Sequence, residues 1–197
     1  PGSSISTAPC FFAQHDELWK SNGTLAGTVR VKEIDPFPLP EVRLSSFTES
    51  DGLLYFISTG PNGAELWRSN GTSSGTFLVR KLVGPGVSGA TTIAGAAVGD
   101  IFISAPSANG YQLWRSTGTG AGTTSILPSF MSPIREVAGF QTDIYFGAES
   151  ALEGDELWTT PLFPAITASG VVDAASFRAA LSPGGLASIF GTELSGV

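Results

Sequence analysis

The chain has 197 residues, a net charge of −7 and 14% charged side chains, well under the roughly 25% of an average soluble domain. Its 17 acids, 10 bases and absence of any basic cluster argue against phosphate-backbone binding and against attraction to an anionic membrane surface. Hydrophobic residues make up 42%, enough for a core in one large or two small domains, yet no apolar run reaches the ~18 residues of a membrane span.

The chain begins Pro1-Gly2 and its only methionine is Met131, so it reads as a processed or partial chain from which any export signal is already gone. The first strand signal is Cys10-Phe11-Phe12. Cys10 is the only cysteine, which excludes an intrachain disulfide, and the apolar run predicts a small buried thiol. A short loop with His15-Asp16 leads to Glu17-Leu18-Trp19, then Asn22-Gly23-Thr24 and Gly27-Thr28, and then Val29 and Val31. After a proline-rich connector over 35–40, the second unit is complete. It predicts strands over 42–48, 53–58, 65–69 and 76–82, joined by Ser50-Asp51-Gly52, Asn62-Gly63 and Asn70-Gly71. Asp-Gly and Asn-Gly are hairpin signals because both central residues of a type I′ turn take positive φ. The third unit follows Gly84-Pro85-Gly86, repeating the first turn at Gly99-Asp100. It continues through Ile101-Phe102-Ile103, Gln112-Leu113-Trp114, Thr117-Gly118-Thr119, Gly122-Thr123 and Ile126-Leu127. Beyond the connector 128–133, the fourth unit runs through Thr142-Asp143, Ile144-Tyr145-Phe146 and Glu156-Leu157-Trp158, then breaks off into Thr159-Thr160-Pro161.

All four tryptophans belong to this repeat, spaced by 67 − 19 = 48, 114 − 67 = 47 and 158 − 114 = 44 residues. That period, carried by short β-branched and aromatic runs between Gly- and Pro-rich turns, predicts an all-β chain. The expected architecture is a β-propeller-like array of about four four-stranded blades. Neighbouring residues of a strand point to opposite faces, so the pairs Leu18/Trp19, Leu66/Trp67, Leu113/Trp114 and Leu157/Trp158 are expected to fill the layers on either side of each blade. The first unit lacks an obvious first strand and the fourth lacks its last, predicting three, four, four and three strands. Residues 1–8 or 165–172 are candidates to pair at the seam. Residues 1–164 form the expected repeat domain and 165–197 a strand-containing tail.

The recurring Glu-Leu-Trp and Gly-Thr pattern over 10–158 resembles the ELWxxDGT repeat of bacterial secreted and surface proteins. It matches Glu17, Leu18, Trp19, Gly23, Thr24, Gly27 and Thr28 and their equivalents, with Gln112 replacing the glutamate in the third copy. The resemblance implies a propeller-like fold and an extracellular or cell-surface bacterial location, but no defined activity. Where the family has Asp before Gly-Thr, this chain has Asn22, Asn70 and Thr117, which weakens any cation site there. The segment 168–194 is similar to the opening of immunoglobulin-like C-terminal domains of acidobacterial type. With only that opening present, Leu186, Ile189 and Phe190 are candidates for an intersubunit strand.

No catalytic constellation emerges. The lone His15 sits in a loop, and one His with one Cys makes no zinc set. Glu149, Glu153, Asp155 and Glu156 form the densest acidic group, read as a solvated loop, with Glu149, Glu153 and Asp155 as calcium candidates. Asn22 and Asn70 match the N-glycosylation acceptor pattern. Glu17 with Lys20 and Glu65 with Arg68 are expected as surface ion pairs. The reading is a non-enzymatic extracellular structural or adhesive module without cofactor. It associates with itself through its tail, as a homo-oligomer or the subunit of a filament joined by strand or edge exchange. The alternative is a carbohydrate-binding propeller using Phe37, Tyr111 and Phe163; a third reading is a glycoside-type hydrolase using the acidic group.

Overall fold

A computed structural model of the chain describes residues 9–35, 42–150, 154–162, 166–173 and 187–191, and these form small antiparallel sheets with no helix. The first sheet is β1 (Cys10–Gln14), β2 (Glu17–Ser21) and β3 (Val29–Glu33). The second is β4 (Arg43–Ser50), β5 (Leu53–Gly60), β6 (Gly63–Ser69) and β7 (Phe77–Val83). The third is β8 (Thr92–Ala97), β9 (Asp100–Ser107), β10 (Gly110–Ser116) and β11 (Thr123–Phe130). The fourth is β12 (Arg135–Phe140), β13 (Asp143–Ser150) and β14 (Gly154–Pro161). Each is a meander in chain order, so the strand counts are three, four, four and three. A separate pair, β15 (Ile166–Asp173) and β16 (Ala187–Gly191), forms its own two-stranded sheet. The C-terminal strand therefore has a partner within the chain. Ile189 pairs with Val171, while Leu186 and the seam candidates 1–8 lie outside the described residues.

The tight turns follow from φ. Asp51 and Gly52 both take positive φ, 51° and 73°, between the paired residues Ser50 and Leu53, as the Asp-Gly signal requires. The corresponding turns fall one residue earlier than the sequence indicated. They are Val98-Gly99, between Ala97 and Asp100, and Gln141-Thr142, between Phe140 and Asp143. Val98 and Gln141 hold positive φ of 53° and 56° without being glycine, because the register of the flanking strands fixes where the turn must be. Likewise Pro61-Asn62, rather than Asn62-Gly63, closes the β5–β6 hairpin, since Gly60 pairs with Gly63.

Three apolar layers join the four sheets in series. Leu18, Val31, Leu44, Leu54 and Phe56 lie between the first and second sheets, with Trp67 packed against them. Tyr55, Ile57, Leu66, Val79, Ile101 and Ile103 fill the layer between the second and third, with Trp114 against it. Phe102, Leu113, Ile134, Val137, Ile144 and Phe146 fill that between the third and fourth, with Trp158 against it. Within β5 the alternation is complete: Phe56 faces back and Ile57 faces forward, each 0% exposed. The two outer faces are open among the described residues. Leu157 is 76% exposed and Phe140 63% on the fourth sheet, and Phe12 is 36% exposed on the first. A four-blade ring joined through these two faces is not what the structure displays.

Candidate functional site

The feature that recurs, and that uses nearly every residue of the motif, is the junction between one sheet and the next. Its register is the same in each unit. An aromatic residue stands opposite the residue after each tryptophan: Phe11 with Lys20, Tyr55 with Arg68, Phe102 with Arg115 and Tyr145 with Thr159. One step on, Phe12, Phe56, Ile103 and Phe146 stand opposite the tryptophans themselves. Leu18, Leu66 and Leu113 are fully buried on the forward face, while Trp67, Trp114 and Trp158 are half-buried on the backward face. Two residues depart from the expected pattern of filled layers. Among the described residues no sheet packs on Leu157, which is exposed, and none packs on the face of Trp19, which stacks on Phe12. Cys10 shares the strand face of Phe12 and is exposed rather than buried, for the same reason.

The glutamate two residues before the tryptophan lies on the same strand face and accepts the indole N–H. Trp19 Nε1 donates to Glu17 at 2.9 Å and Trp67 Nε1 to Glu65 at 3.1 Å. Trp158 Nε1 donates to the Ala148 carbonyl at 3.1 Å. Trp114, preceded by Gln112, has a buried Nε1 with no acceptor among the described residues. The expected pairing of glutamate with the residue three further on gives way to other contacts. Arg30 takes Glu17, and the Arg68 guanidinium sits 4.5 Å from the centre of the Phe77 ring. Hydrogen bonds from Arg30, then from the Trp19 indole, hold the Glu17 carboxyl below the usual carboxylate range, and Glu17 in turn raises Arg30. Burial raises the Tyr55 phenol.

Cations reach forward to backbone carbonyls of the next unit. Lys20 Nζ donates to the Gly71 carbonyl at 2.7 Å and Lys32 Nζ to that of Thr76 at 2.7 Å. Arg80 donates to the Gly120 carbonyl at 3.0 Å, and Arg115 to that of Leu162 at 2.6 Å while also pairing with the buried Asp100. The carbonyls they meet in the second and third units belong to the Gly-Thr segment. That segment is not a tight hairpin turn but a hydrogen-bonded loop, 69–76, closed by Ser69 Oγ and Thr76 Oγ1 at 2.6 Å. Inside it, the Thr72 N–H and Oγ1 both donate to Asn70 Oδ1, at 3.0 and 2.7 Å, and the Gly75 N–H donates to Thr72 Oγ1 at 3.0 Å. The loops 21–28 and 116–123 keep the same closure, Ser21 with Thr28 and Ser116 with Thr123. The opening serine carries no strong signal of its own; its constant place before each Gly-Thr segment was the available clue. The residue before Gly-Thr, aspartate in the resembled repeat, is here an internal acceptor, a task an amide or hydroxyl oxygen also performs.

The remaining candidates do not converge. His15 is exposed in the two-residue turn between β1 and β2, with φ 56°. Glu149 lies on β13 and Asp155 and Glu156 on β14, so the acidic residues are on a hairpin's strands rather than a loop, and Arg135 pairs with Asp155 at 3.3 Å. Glu153 lies outside the described residues. Among the described residues no group of His, Cys, Asp and Glu is arranged to hold a metal ion, and no helix is long and apolar enough to cross a membrane. Tyr111 is half-buried; Phe37 and Phe163 lie outside the described residues. A cleft of about 200 Å³ between Asp35, Asn62 and Glu65 is shallow, below the ~300 Å³ of typical ligand pockets. The chain matches no protein-family model and no curated protein.

Proposed function

We propose that this chain is a structural or adhesive module of a bacterial cell surface, a propeller-type array of the ELWxxDGT kind without catalytic activity. The observation that carries this reading is the junction. Its aromatic, cationic, glutamate and Gly-Thr residues are spent on joining one sheet to the next, where an enzyme would leave some of them around a cleft. The low charge and the Ser-, Thr- and Gly-rich surface loops favour an extracellular setting. Asn22 and Asn70 lie exposed in those loops and are the candidate glycan acceptors.

Protease shaving of intact producing cells, followed by peptide mass mapping, tests the location. Release of peptides from the exposed 21–28 and 69–76 loops is expected. Recovery of the protein only after lysis overturns the proposal. Mass mapping of the peptides that carry Asn22 and Asn70 from the native material reads the glycan question separately.

A further inference from the structure

The two outer faces are unmatched halves of the junction that the molecule makes internally, and we infer that the first sheet of one copy seats the fourth sheet of a second copy. This rests on the structural-module reading above and names its partner: another molecule of the same chain, bound face to face.

Three observations carry it. First, the face presented by the first sheet is already in its internal form. Phe12 and Trp19 stack with ring centres 6.3 Å apart and planes at 20°, the same values as Phe56 and Trp67 inside the molecule. Second, a specific seat on that face is empty. In the first two internal junctions the first glycine of the Gly-Thr loop is buried under the aromatic–cation pair of the preceding sheet. A methyl group placed on Gly71 would meet Phe11 at 3.4 Å and Lys20 at 3.8 Å, and one on Gly118 would meet the Tyr55 hydroxyl and Arg68. Gly23 has nothing within 4 Å, although its loop is closed in the same way. Beside it Leu25, 95% exposed, stands where the other loops have Ser73 and Gly120. Third, the fourth sheet carries the aromatic and the leucine of the counterpart, with Thr159 at the position of the cation. Tyr145 occupies the register position of Phe11 and Tyr55, and Leu157 that of the fully buried Leu18 and Leu66.

Because the two faces are different, the contact is head-to-tail and does not close on itself in a pair, so it propagates. Each copy meets the next through one such face, so the extent of association depends on concentration.

Sedimentation of the purified chain from about 10 μM to about 1 mM tests this. A mass that rises with concentration, beyond a dimer, is expected. Leu157→Asp disables one face and Phe12→Asp the other, with Leu25→Asp as a second variant on a side chain outside every core. Each alone is expected to weaken association at least tenfold. An equimolar mixture of Leu157→Asp with Phe12→Asp retains one intact face of each kind and is expected to stop at a one-to-one dimer. A monomer at all concentrations overturns the inference, as does undiminished association of the variants. So does a monomer that Leu157→Asp destabilises, since the faces would then be covered within the chain, by its own tail or by ring closure. A surface-located protein that stays monomeric sinks this inference and leaves the structural reading standing; a cytosolic protein that elongates does the reverse.

Discussion

Gln112 stands where the other three units have glutamate, and the Trp114 indole N–H beside it is buried without an acceptor among the described residues. Leaving a buried donor unpaired costs on the order of 1–3 kcal/mol. Gln112→Glu restores the carboxylate that the first two units use, so a gain of about 1 kcal/mol is expected, read as a higher Tm together with a shift in Trp114 fluorescence. The role of that glutamate is visible only in the structure. The expected partner of Glu17 is Lys20, but on a strand residues two apart share a face, and that rule leads to Trp19. Glu17 also sets a pH dependence. Its native pKa is lowered by Arg30 and then by the Trp19 indole, so its contribution is present above the ordinary carboxylate value and is lost as pH falls through the lower native value. The melting temperatures of the wild type and Glu17→Gln are therefore expected to differ near neutrality and to converge in acid.

At the scale of the element, the Gly-Thr loop shows what a repeat motif conceals. Asn70-Gly71 looked like a two-residue type I′ turn, and Gly71 does hold a φ of 82°. The second glycine has a different task. A methyl group on Gly75 would collide with the Asn70 side chain, the acceptor around which the loop is organised. Gly75→Ala is therefore expected to cost about 1–3 kcal/mol through loss of those hydrogen bonds. Urea denaturation should show this, with an unchanged slope if the denatured state is unaffected. Strand positions, by contrast, were largely readable in the sequence, because runs such as Leu53-Leu54-Tyr55-Phe56-Ile57 are apolar on both faces, as a strand covered on both sides must be. The turns at Val98-Gly99 and Gln141-Thr142 were misplaced by one residue. Register, which depends on the neighbouring strand, overrode the local preference of the residues.

At the scale of the molecule, one residue type has opposite worth according to its place in the series. Leu66 is 0% exposed and Leu157 76%, although both follow a glutamate and precede a tryptophan. Leu66→Ala is expected to cost about 2–5 kcal/mol. Leu157→Ala, measured by calorimetry in dilute solution, should stay within about 0.5 kcal/mol. The motif alone cannot reveal this difference, because it describes a unit while burial is a property of the unit's neighbours. The same limit explains Cys10, whose apolar run predicts burial but which lies on a face that no described sheet covers. What the sequence did make legible was the strand count of three, four, four and three, since a missing turn or strand leaves a gap in the pattern itself. All the internal leucines point one way along the series and the tryptophans the other, so the array has a direction, and the boundaries on either side of the second sheet seat a Gly-Thr loop under an aromatic and a cation in the same way. A whole unit duplicated in the gene, or lost from it, would leave its neighbours meeting surfaces they already fit. Such a chain can lengthen or shorten by recombination without inventing a new core, and so vary its reach while its packing rules stay constant.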